Sequence, residues 1–258
     1  MPWTFSHPAA VLPLRRLTPT YLNLPALMCG SMAPDLGYFI NEWETAGYAH
    51  TAAGSVVVGV PLGLACLLMF YLLRRPLWFL LPQPHRSAVA PLLESAPWRG
   101  RPWFPVVAAV SVLFGVWTHN FWDSFTHEGG WMVQRIPPLR DSFVSLGVIV
   151  VPACRFLQLI SSLVGAAALA IAYLAWFRRQ PRSAPATRAD AVRYVAAIVA
   201  AATSVVVAYP IALRTAQTFS GDYAVQVLVV QIAIRAVTAL ALILLVYSAV
   251  YAVAARRR

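Results

Sequence analysis

The chain has 258 residues, of which 60% are hydrophobic and only 11% are charged. Soluble domains contain about 25% charged residues, so the composition excludes an ordinary soluble protein and predicts an integral membrane protein. The net charge of +11 does not indicate a nucleic-acid partner, because every basic residue is arginine and most arginines lie in short loops between apolar blocks.

The N-terminal segment contains apolar residues that prolines and arginines interrupt. Residues 8–32 could form an interfacial helix, a re-entrant segment or a sixth span. His7 lies at an expected helix start just before this segment. After it, Pro34 suits the first position of a helix, which would put Asp35 in the first turn. The alternative role of Asp35 is a carboxylate stabilised by the helix dipole.

Five later segments are apolar for about the 20 residues that a transmembrane helix needs. These predicted spans are residues 54–73, 104–122, 157–177, 194–213 and 236–255. Residues 143–156 are apolar but short and contain Pro152, which predicts a half-helix at membrane depth. We therefore expect an all-α fold with one integral membrane domain over residues 1–258. It would be a polytopic transmembrane helix bundle of five or six spans with a short re-entrant or interfacial N-terminal segment.

Arginines predict the orientation of this bundle. They are concentrated in residues 74–103, in residues 178–193 and at the C-terminus, which share one side of a five-span arrangement. The positive-inside rule makes that side, and the C-terminus, cytoplasmic. The segments predicted to face outward are residues 1–53, 123–156 and 214–235. Four of the five histidines then gather at the outer face, and His85 is the exception.

The second predicted span ends in a pattern typical of a metal site. His119 and Asp123 are four residues apart, which places both side chains on one helix face within reach of one cation. An imidazole with a carboxylate suits zinc or another first-row metal. His127 is about 12 Å further along an unbroken helix at 1.5 Å per residue, so it needs the helix to end before it can join the same site. The alternative for His119 and Asp123 is a buried hydrogen-bonded pair that tethers a loop.

Further polar residues are candidates for the same outer face. His50 lies just before the first span, and Gln158 and Ser161 begin the third. Arg214 ends the fourth span, and Arg235 precedes the fifth, where it could bind a phosphate or carboxylate. If residues 223–254 form one long helix, Arg235 instead lies within the membrane and needs a partner. Both arginines have the alternative of extending to the interface without binding substrate.

Three stretches of the chain resemble a known family. They are Pro2 to Leu14, the Gly30 to Asp35 box and Trp122 to His127, and they are similar to a bacterial family of uncharacterised membrane proteins, domain of unknown function 4184. More distantly, the layout is similar to inner-membrane metal-dependent hydrolases. That family's pattern maps onto His7, Asp35, His50, His119 and Asp123. The chain departs from it where Leu36 follows the Pro-Asp pair, a place that often holds a second aspartate. Another departure is the short Ala49-His50-Thr51, where a longer histidine-containing run is usual.

Two functional hypotheses follow. The first is a membrane-embedded metal-dependent hydrolase of the bacterial inner membrane that acts on a lipid or lipid-linked substrate at the outer face. In it, Asp35, His50, His119 and Asp123 hold a divalent ion, zinc being the leading candidate, and His7 or His127 transfers a proton. Gln158, Ser161, Arg214 and Arg235 would bind substrate. The second hypothesis is a non-enzymatic protein, either a small transporter or a structural or partner-binding protein. The His/Asp cluster would then be a proton relay or a polar tether.

Overall fold

The computed structural model describes residues 3–18, 21–94, 102–146, 149–181, 185 and 187–256. The chain divides into two compact units. The first comprises Met1–Gly37, Glu42–Met69 and Pro97–Arg178, and the second comprises Tyr38–Asn41, Phe70–Ala96 and Arg179–Arg258. The predicted arginine-rich ends at residues 99–101 and 257–258 lie outside the described residues.

Short helices fill the N-terminal part of the chain. They are α1 (Pro8–Val11), α2 (Leu24–Met32), α3 (Leu36–Phe39) and α4 (Trp43–Ala49), with 3-10 turns at Thr4–Ser6, Leu12–Leu17 and Ala33–Asp35. The longest of these has nine residues, which is less than half of the length that crosses a bilayer. The described part of residues 8–32 therefore does not form the sixth span that was one of its alternatives.

The remaining helices include five that are long and apolar enough to cross a membrane. In chain order they are α5 (Ala52–Leu80), α6 (His85–Glu94), α7 (Phe104–Thr126), α8 (Trp131–Arg135), α9 (Ala153–Phe177), α10 (Arg188–Ala216) and α11 (Gly221–Arg256). The five candidate spans are α5, α7, α9, α10 and α11. This confirms the predicted helical fold and identifies the chain as a multi-pass membrane protein.

Two of the predicted segments differ from the structure. The fifth span begins near Tyr223 instead of residue 236, because Gln231 accepts a hydrogen bond from Arg235 and lets the helix continue through both polar residues. The predicted half-helix at 143–156 is wrong. That region forms an antiparallel pair of strands, β1 (Ser142–Leu146) and β2 (Ile149–Pro152). Pro152 has an extended backbone, with ψ at 150°, so α9 begins only after it.

The core of the first unit lies where α2 packs against α7. Leu27 of α2 and Val112 and Val116 of α7 are fully buried. The two helices approach closely because Gly30 and Gly115 have no side chains: a Cβ at Gly30 would collide with the backbone of Val112, and one at Gly115 with the backbone of Leu27. This close packing brings the C-terminal end of α2, and the turn that follows it, against α7.

In the second unit, α10 packs along α11. The N-terminus of α10 has a capping box, in which Thr187 and Asp190 satisfy each other's backbone and side-chain groups. The buried Asp190 carboxylate also accepts from the backbone N–H of Gln83 at 3.1 Å and from Arg193 at 2.9 Å. One carboxylate thus ties the start of α10 to the loop before α6.

Candidate metal centre

Helix α7 carries His119 and Asp123 on one face, as their spacing predicts. His119 is fully buried and Asp123 is 5% exposed. The Nε2 atom of His119 lies 3.3 Å from Oδ2 of Asp123. Both side chains therefore point into the interior of the first unit, near the end of the helix.

Asp35 reaches the same place from the turn after α2. Asn23 caps that helix by accepting a hydrogen bond from the backbone N–H of Ala26, and the 3-10 turn Ala33–Asp35 follows its last residue. Asp35 is fully buried, and its Oδ1 lies 3.6 Å from Nε2 of His119. Its other oxygen, Oδ2, accepts a hydrogen bond from Thr4 Oγ1 at 2.6 Å. The carboxylate is thus held with Oδ1 turned toward α7.

His50 completes the group from the C-terminal end of α4, where it caps the helix. The side-chain amide of Asn120 donates to the carbonyl of Ala49 at 3.0 Å and to Ser55 Oγ at 2.9 Å. These bonds hold the end of α4 and the start of α5 against α7. A π-helical turn, Ser55–Gly59, follows directly, and such turns are frequent at functional sites.

The four side chains converge on one point with distances close to those of a tetrahedral metal site. His50 Nε2 lies 3.2 Å from His119 Nε2, and 3.6 Å from both Asp35 Oδ1 and Asp123 Oδ2. One ligand atom of each residue lies within 4.8 Å of the others. A tetrahedron with metal–ligand distances of about 2.0–2.2 Å has edges of roughly 3.3–3.6 Å. Asp35, His50, His119 and Asp123 therefore form a buried group that could hold a metal ion.

Backbone hydrogen bonds fix the orientation of both imidazoles. His119 Nδ1 lies 2.8 Å from the carbonyl oxygen of Ser31, and His50 Nδ1 lies 2.7 Å from that of Ala46. A carbonyl only accepts, so each Nδ1 carries a hydrogen, and a ring that is neutral then presents its lone pair at Nε2. Two neutral rings facing each other at 3.2 Å repel unless a metal ion, or a proton on one Nε2, lies between them. Second-shell carbonyls of this kind are typical of metal-ligating histidines.

The carboxylates have the same need for a cation. Asp35 Oδ1 and both oxygens of Asp123 are buried without a hydrogen-bond partner in the described part of the chain. Burial alone would lower the pKa of His50, but the carboxylates of Asp123 and Asp35 outweigh it and raise that pKa to about 10. Burial would raise the pKa of Asp35, yet His119 and His50 hold it below its ordinary value. The two carboxylates thus favour a positive charge at the centre of the site, which either a proton on His50 or a metal ion would supply.

His7 lies beside the four-residue group. Its ring stacks on His119 with centroids 3.7 Å apart, and its Nε2 lies 3.5 Å from Asp123 Oδ1. It is 4% exposed, and Nε2 has no hydrogen-bond partner among the described residues. Burial, followed by the neighbouring His119, lowers the pKa of His7 to about 3. His7 is therefore a neutral imidazole in contact with the candidate metal ligands.

His127 approaches from the more exposed side because α7 ends before it. Its backbone is extended, with φ at −113° and ψ at 137°, and this turn brings Nδ1 back to within 3.5 Å of Asp123 Oδ2. The amide nitrogen of Gln158 lies 3.3 Å from His127 Nε2. Of the other predicted substrate residues, Ser161 donates to the carbonyl of Gln158 within α9.

Arg214 and Arg235 belong to the second unit. Arg214 lies in the last turn of α10, where a cation complements the helix dipole. Arg235 lies inside α11 and donates from Nε to Gln231 Oε1 at 3.1 Å. The long-helix alternative for Arg235 is therefore the one that the structure has, and substrate binding by either arginine stays a prediction.

Sequence reasoning did not identify the residues that orient the ligands. Thr4 bonds to Asp35, 31 positions away in the chain. Asn120 bonds to Ala49 and Ser55, which are 71 and 65 positions away. Ser31 and Ala46 act through their backbone carbonyls. Every residue type has this group, so the sequence does not reveal it. The position of Asn120, next to His119, was the one feature of the sequence that could have indicated a residue orienting the ligands.

The model of the family Domain of unknown function (DUF4184) matches residues 1–249. The match covers nearly all of the chain, which therefore belongs to this family, as its N-terminal and His/Asp motifs indicate. No curated protein and no solved structure matches the chain.

Proposed function

We propose that this DUF4184 member is a membrane-embedded, metal-dependent hydrolase that acts on a lipid or lipid-linked substrate at the outer face of the bacterial inner membrane. The observation that carries the proposal is the convergence of four possible ligand atoms from Asp35, His50, His119 and Asp123. Each imidazole Nε2 lies 3.2 to 3.6 Å from the other and from an oxygen of both carboxylates. Buried polar atoms without partners are costly, and a metal ion at their centre would satisfy all four.

The donor set of two imidazoles and two carboxylates suits zinc best. Neutral nitrogen and carboxylate oxygen at tetrahedral spacing are ordinary zinc ligands, and imidazole also admits iron or nickel. A bound zinc ion would polarise a substrate carbonyl or phosphoryl oxygen and lower the pKa of a bound water. The four side chains would hold the ion, and the carbonyls of Ser31 and Ala46 would keep both imidazoles in the ligating tautomer.

Two histidines are placed to move protons beside the ion. His7 lies 3.5 Å from Asp123 Oδ1 and offers an imidazole nitrogen without a partner among the described residues. His127 lies 3.5 Å from Asp123 Oδ2, and a third of its side chain is exposed. Either His7, inside the site, or His127, on the more exposed side, would transfer a proton between the site and solvent or the leaving group.

The location favours a lipid substrate. The cluster lies near the end of α7, a candidate membrane span, and Trp117 and Trp122 on the same helix are 48% and 40% exposed. Exposed tryptophans of this kind mark the membrane–water interface. By the positive-inside rule, the arginine distribution predicts that this end of the helix lies outside. A substrate that is itself a membrane component reaches such a site by lateral diffusion.

One observation favours the non-enzymatic alternative. Asp35 and His119 have no exposed surface, and the protein supplies four candidate ligands. A site that is closed in this way is typical of structural zinc, whereas catalytic sites keep a position open for water. In that case the metal would tie α4, α7 and the turn after α2 together and would catalyse no reaction.

The deciding experiment measures metal content and hydrolysis on the same preparations. The detergent-purified protein, His119→Ala/Asp123→Ala and the control His85→Ala would be analysed by elemental mass spectrometry. They would then be incubated with a bacterial lipid extract, and the products identified by mass spectrometry. We expect about one zinc ion per chain in wild type and in the control, and none in the double variant.

Hydrolysis of a lipid by wild type and the control, lost in the double variant, supports the enzyme. A bound metal without any hydrolysis supports the structural role. A folded wild type that takes up no metal, even after zinc is added, overturns the proposed site.

A further inference from the structure

A cavity of about 400 Å³ adjoins the His/Asp cluster in the first unit. It lies between the N-terminal residues 6–10 and one face of α9, with Trp122 of α7 at its wall. Its volume falls within the usual range of small-molecule sites. His7 lines this cavity and also stacks on His119, so the cavity and the candidate metal centre share a wall.

The wall of this cavity is apolar along its length. Leu157, Ile160, Val164 and Ala168 line it from α9, at spacings that place them on one helix face. The serine hydroxyls in the lining already donate within the protein: Ser6 to the carbonyl of Ser162 at 2.8 Å and Ser161 to that of Gln158 at 3.1 Å. A hydrocarbon occupant therefore leaves neither serine hydroxyl unpaired.

The length of the cavity matches one leaflet of a bilayer. From Leu157 to Ala168 a helix rises about 16 Å at 1.5 Å per residue. Half of the hydrocarbon core measures about 15 Å. Because α9 is a candidate span, the cavity runs along the direction in which lipid chains lie. Leu157, Ile160 and Val164 are 37%, 41% and 61% exposed, so the cavity has an edge that a chain could enter from the membrane.

His7 defines which end of an occupant meets the cluster. Its Nε2 is buried without a partner in the described part of the chain and lies 3.5 Å from Asp123 Oδ1. A buried nitrogen without a hydrogen-bond partner in the wall of an apolar cavity favours an occupant that combines one polar group with hydrocarbon.

We propose that the cavity between residues 6–10 and α9 binds one acyl chain of a membrane lipid, and that it places the carbonyl at the top of that chain beside His7 and Asp123. If the protein is the proposed hydrolase, this site narrows its substrate class to a lipid with an acyl chain about one leaflet long. That catalytic part of the inference rests on the proposed function. Binding of the chain itself needs neither metal nor turnover.

Photo-crosslinking of a lipid in nanodiscs tests this binding. The probe is a phosphatidylethanolamine with a diazirine at the middle of one acyl chain, and labelled peptides are mapped by mass spectrometry. We expect labels on the lining residues of α9 and on residues 6–10. Ala168→Phe should fill the cavity and lower this labelling several-fold. Ala170→Phe, an equal change at an exposed alanine of the same helix, should leave it unchanged.

The outcomes separate this inference from the hydrolase proposal. Labelling that survives in His119→Ala/Asp123→Ala, and falls in Ala168→Phe, supports the chain site even if no hydrolysis is found. Labelling spread evenly over the lipid-facing surface, and equal in the two phenylalanine variants, overturns it even if the protein proves to be a hydrolase. Should Ala168→Phe fail to fold, Ala168→Leu provides a smaller filling of the same space, with Ala170→Leu as its control.

Discussion

Thr4 and Asp35 form a hydrogen bond of 2.6 Å between two buried side chains, across 31 positions of the chain. The bond uses Asp35 Oδ2 and so leaves Oδ1 facing His50 and His119, at 3.6 Å from the Nε2 atom of each. A threonine near the N-terminus thus sets the direction of a candidate metal ligand on a different element.

Thr4→Val should weaken metal binding without removing a ligand. Valine fills the same space but cannot donate, so Asp35 can rotate away from the cluster. Loss of such a second-shell bond typically costs about 10–100-fold in metal affinity. Zinc affinity measured by chelator competition checks this, with Thr218→Val as the control, because Thr218 bonds locally in the second unit. Equal affinities in the two variants would show that Thr4 does not orient the ligand.

Removing the metal should destabilise the first unit. The candidate ligands come from α4, α7 and the turn after α2, so a bound ion cross-links three elements. A ligand that binds the folded state at 100 times its Kd adds about 2.7 kcal/mol to the free energy of unfolding. We expect a chelator to lower the Tm of wild type and to increase hydrogen exchange around Asp35 and His50. The same chelator should not change His119→Ala/Asp123→Ala; a drop of equal size in that variant would place the metal elsewhere.

The candidate site could be predicted from sequence where local geometry decides it, and not elsewhere. The spacing of His119 and Asp123 sets their common helix face whatever the rest of the fold does, and His127 can turn back because α7 ends just before it. Thr4 and Asn120 were missed because their partners lie far away in the chain, and no periodicity records such contacts.

The fold shows the same division between local and distant causes. Long apolar runs predicted the five helices, because length and hydropathy alone decide what can cross a bilayer. The start of α11 was placed too late because the pairing of Gln231 with Arg235, one helical turn apart, makes a polar pair compatible with a continuous helix. The strands β1 and β2 were missed because a short apolar run fits a strand or a half-helix equally well.

Gly30→Ala should disrupt the packing that carries Asp35. A methyl group at Gly30 would collide with the backbone of Val112, which no rotamer change can relieve. Overpacking of this kind costs about 1–3 kcal/mol, and any shift of α2 also moves the Ser31 carbonyl that orients His119. We expect a lower Tm and a weaker affinity for zinc. The control is Gly129→Ala, where an added Cβ meets nothing within 4 Å. If Gly30→Ala matches this control in Tm, the close approach of α2 and α7 is wrong.

His7→Gln should separate metal binding from chemistry. His7 contacts the candidate ligands Asp123 and His119 but is not one of the four converging groups, so the variant should keep its zinc. If His7 transfers a proton, hydrolysis of the lipid found in the extract screen should fall by about 10²–10⁴-fold. The fall should appear in kcat more than in KM, since glutamine keeps a polar side chain of similar size beside the cavity.

The matched control for this variant is His85→Gln, which changes a histidine of the second unit and should retain both zinc and activity. Two results would contradict the assigned role of His7. Loss of zinc in His7→Gln would make His7 a ligand. An unchanged kcat with zinc retained would leave His127 as the proton carrier, and His127→Gln would then show the loss of kcat instead.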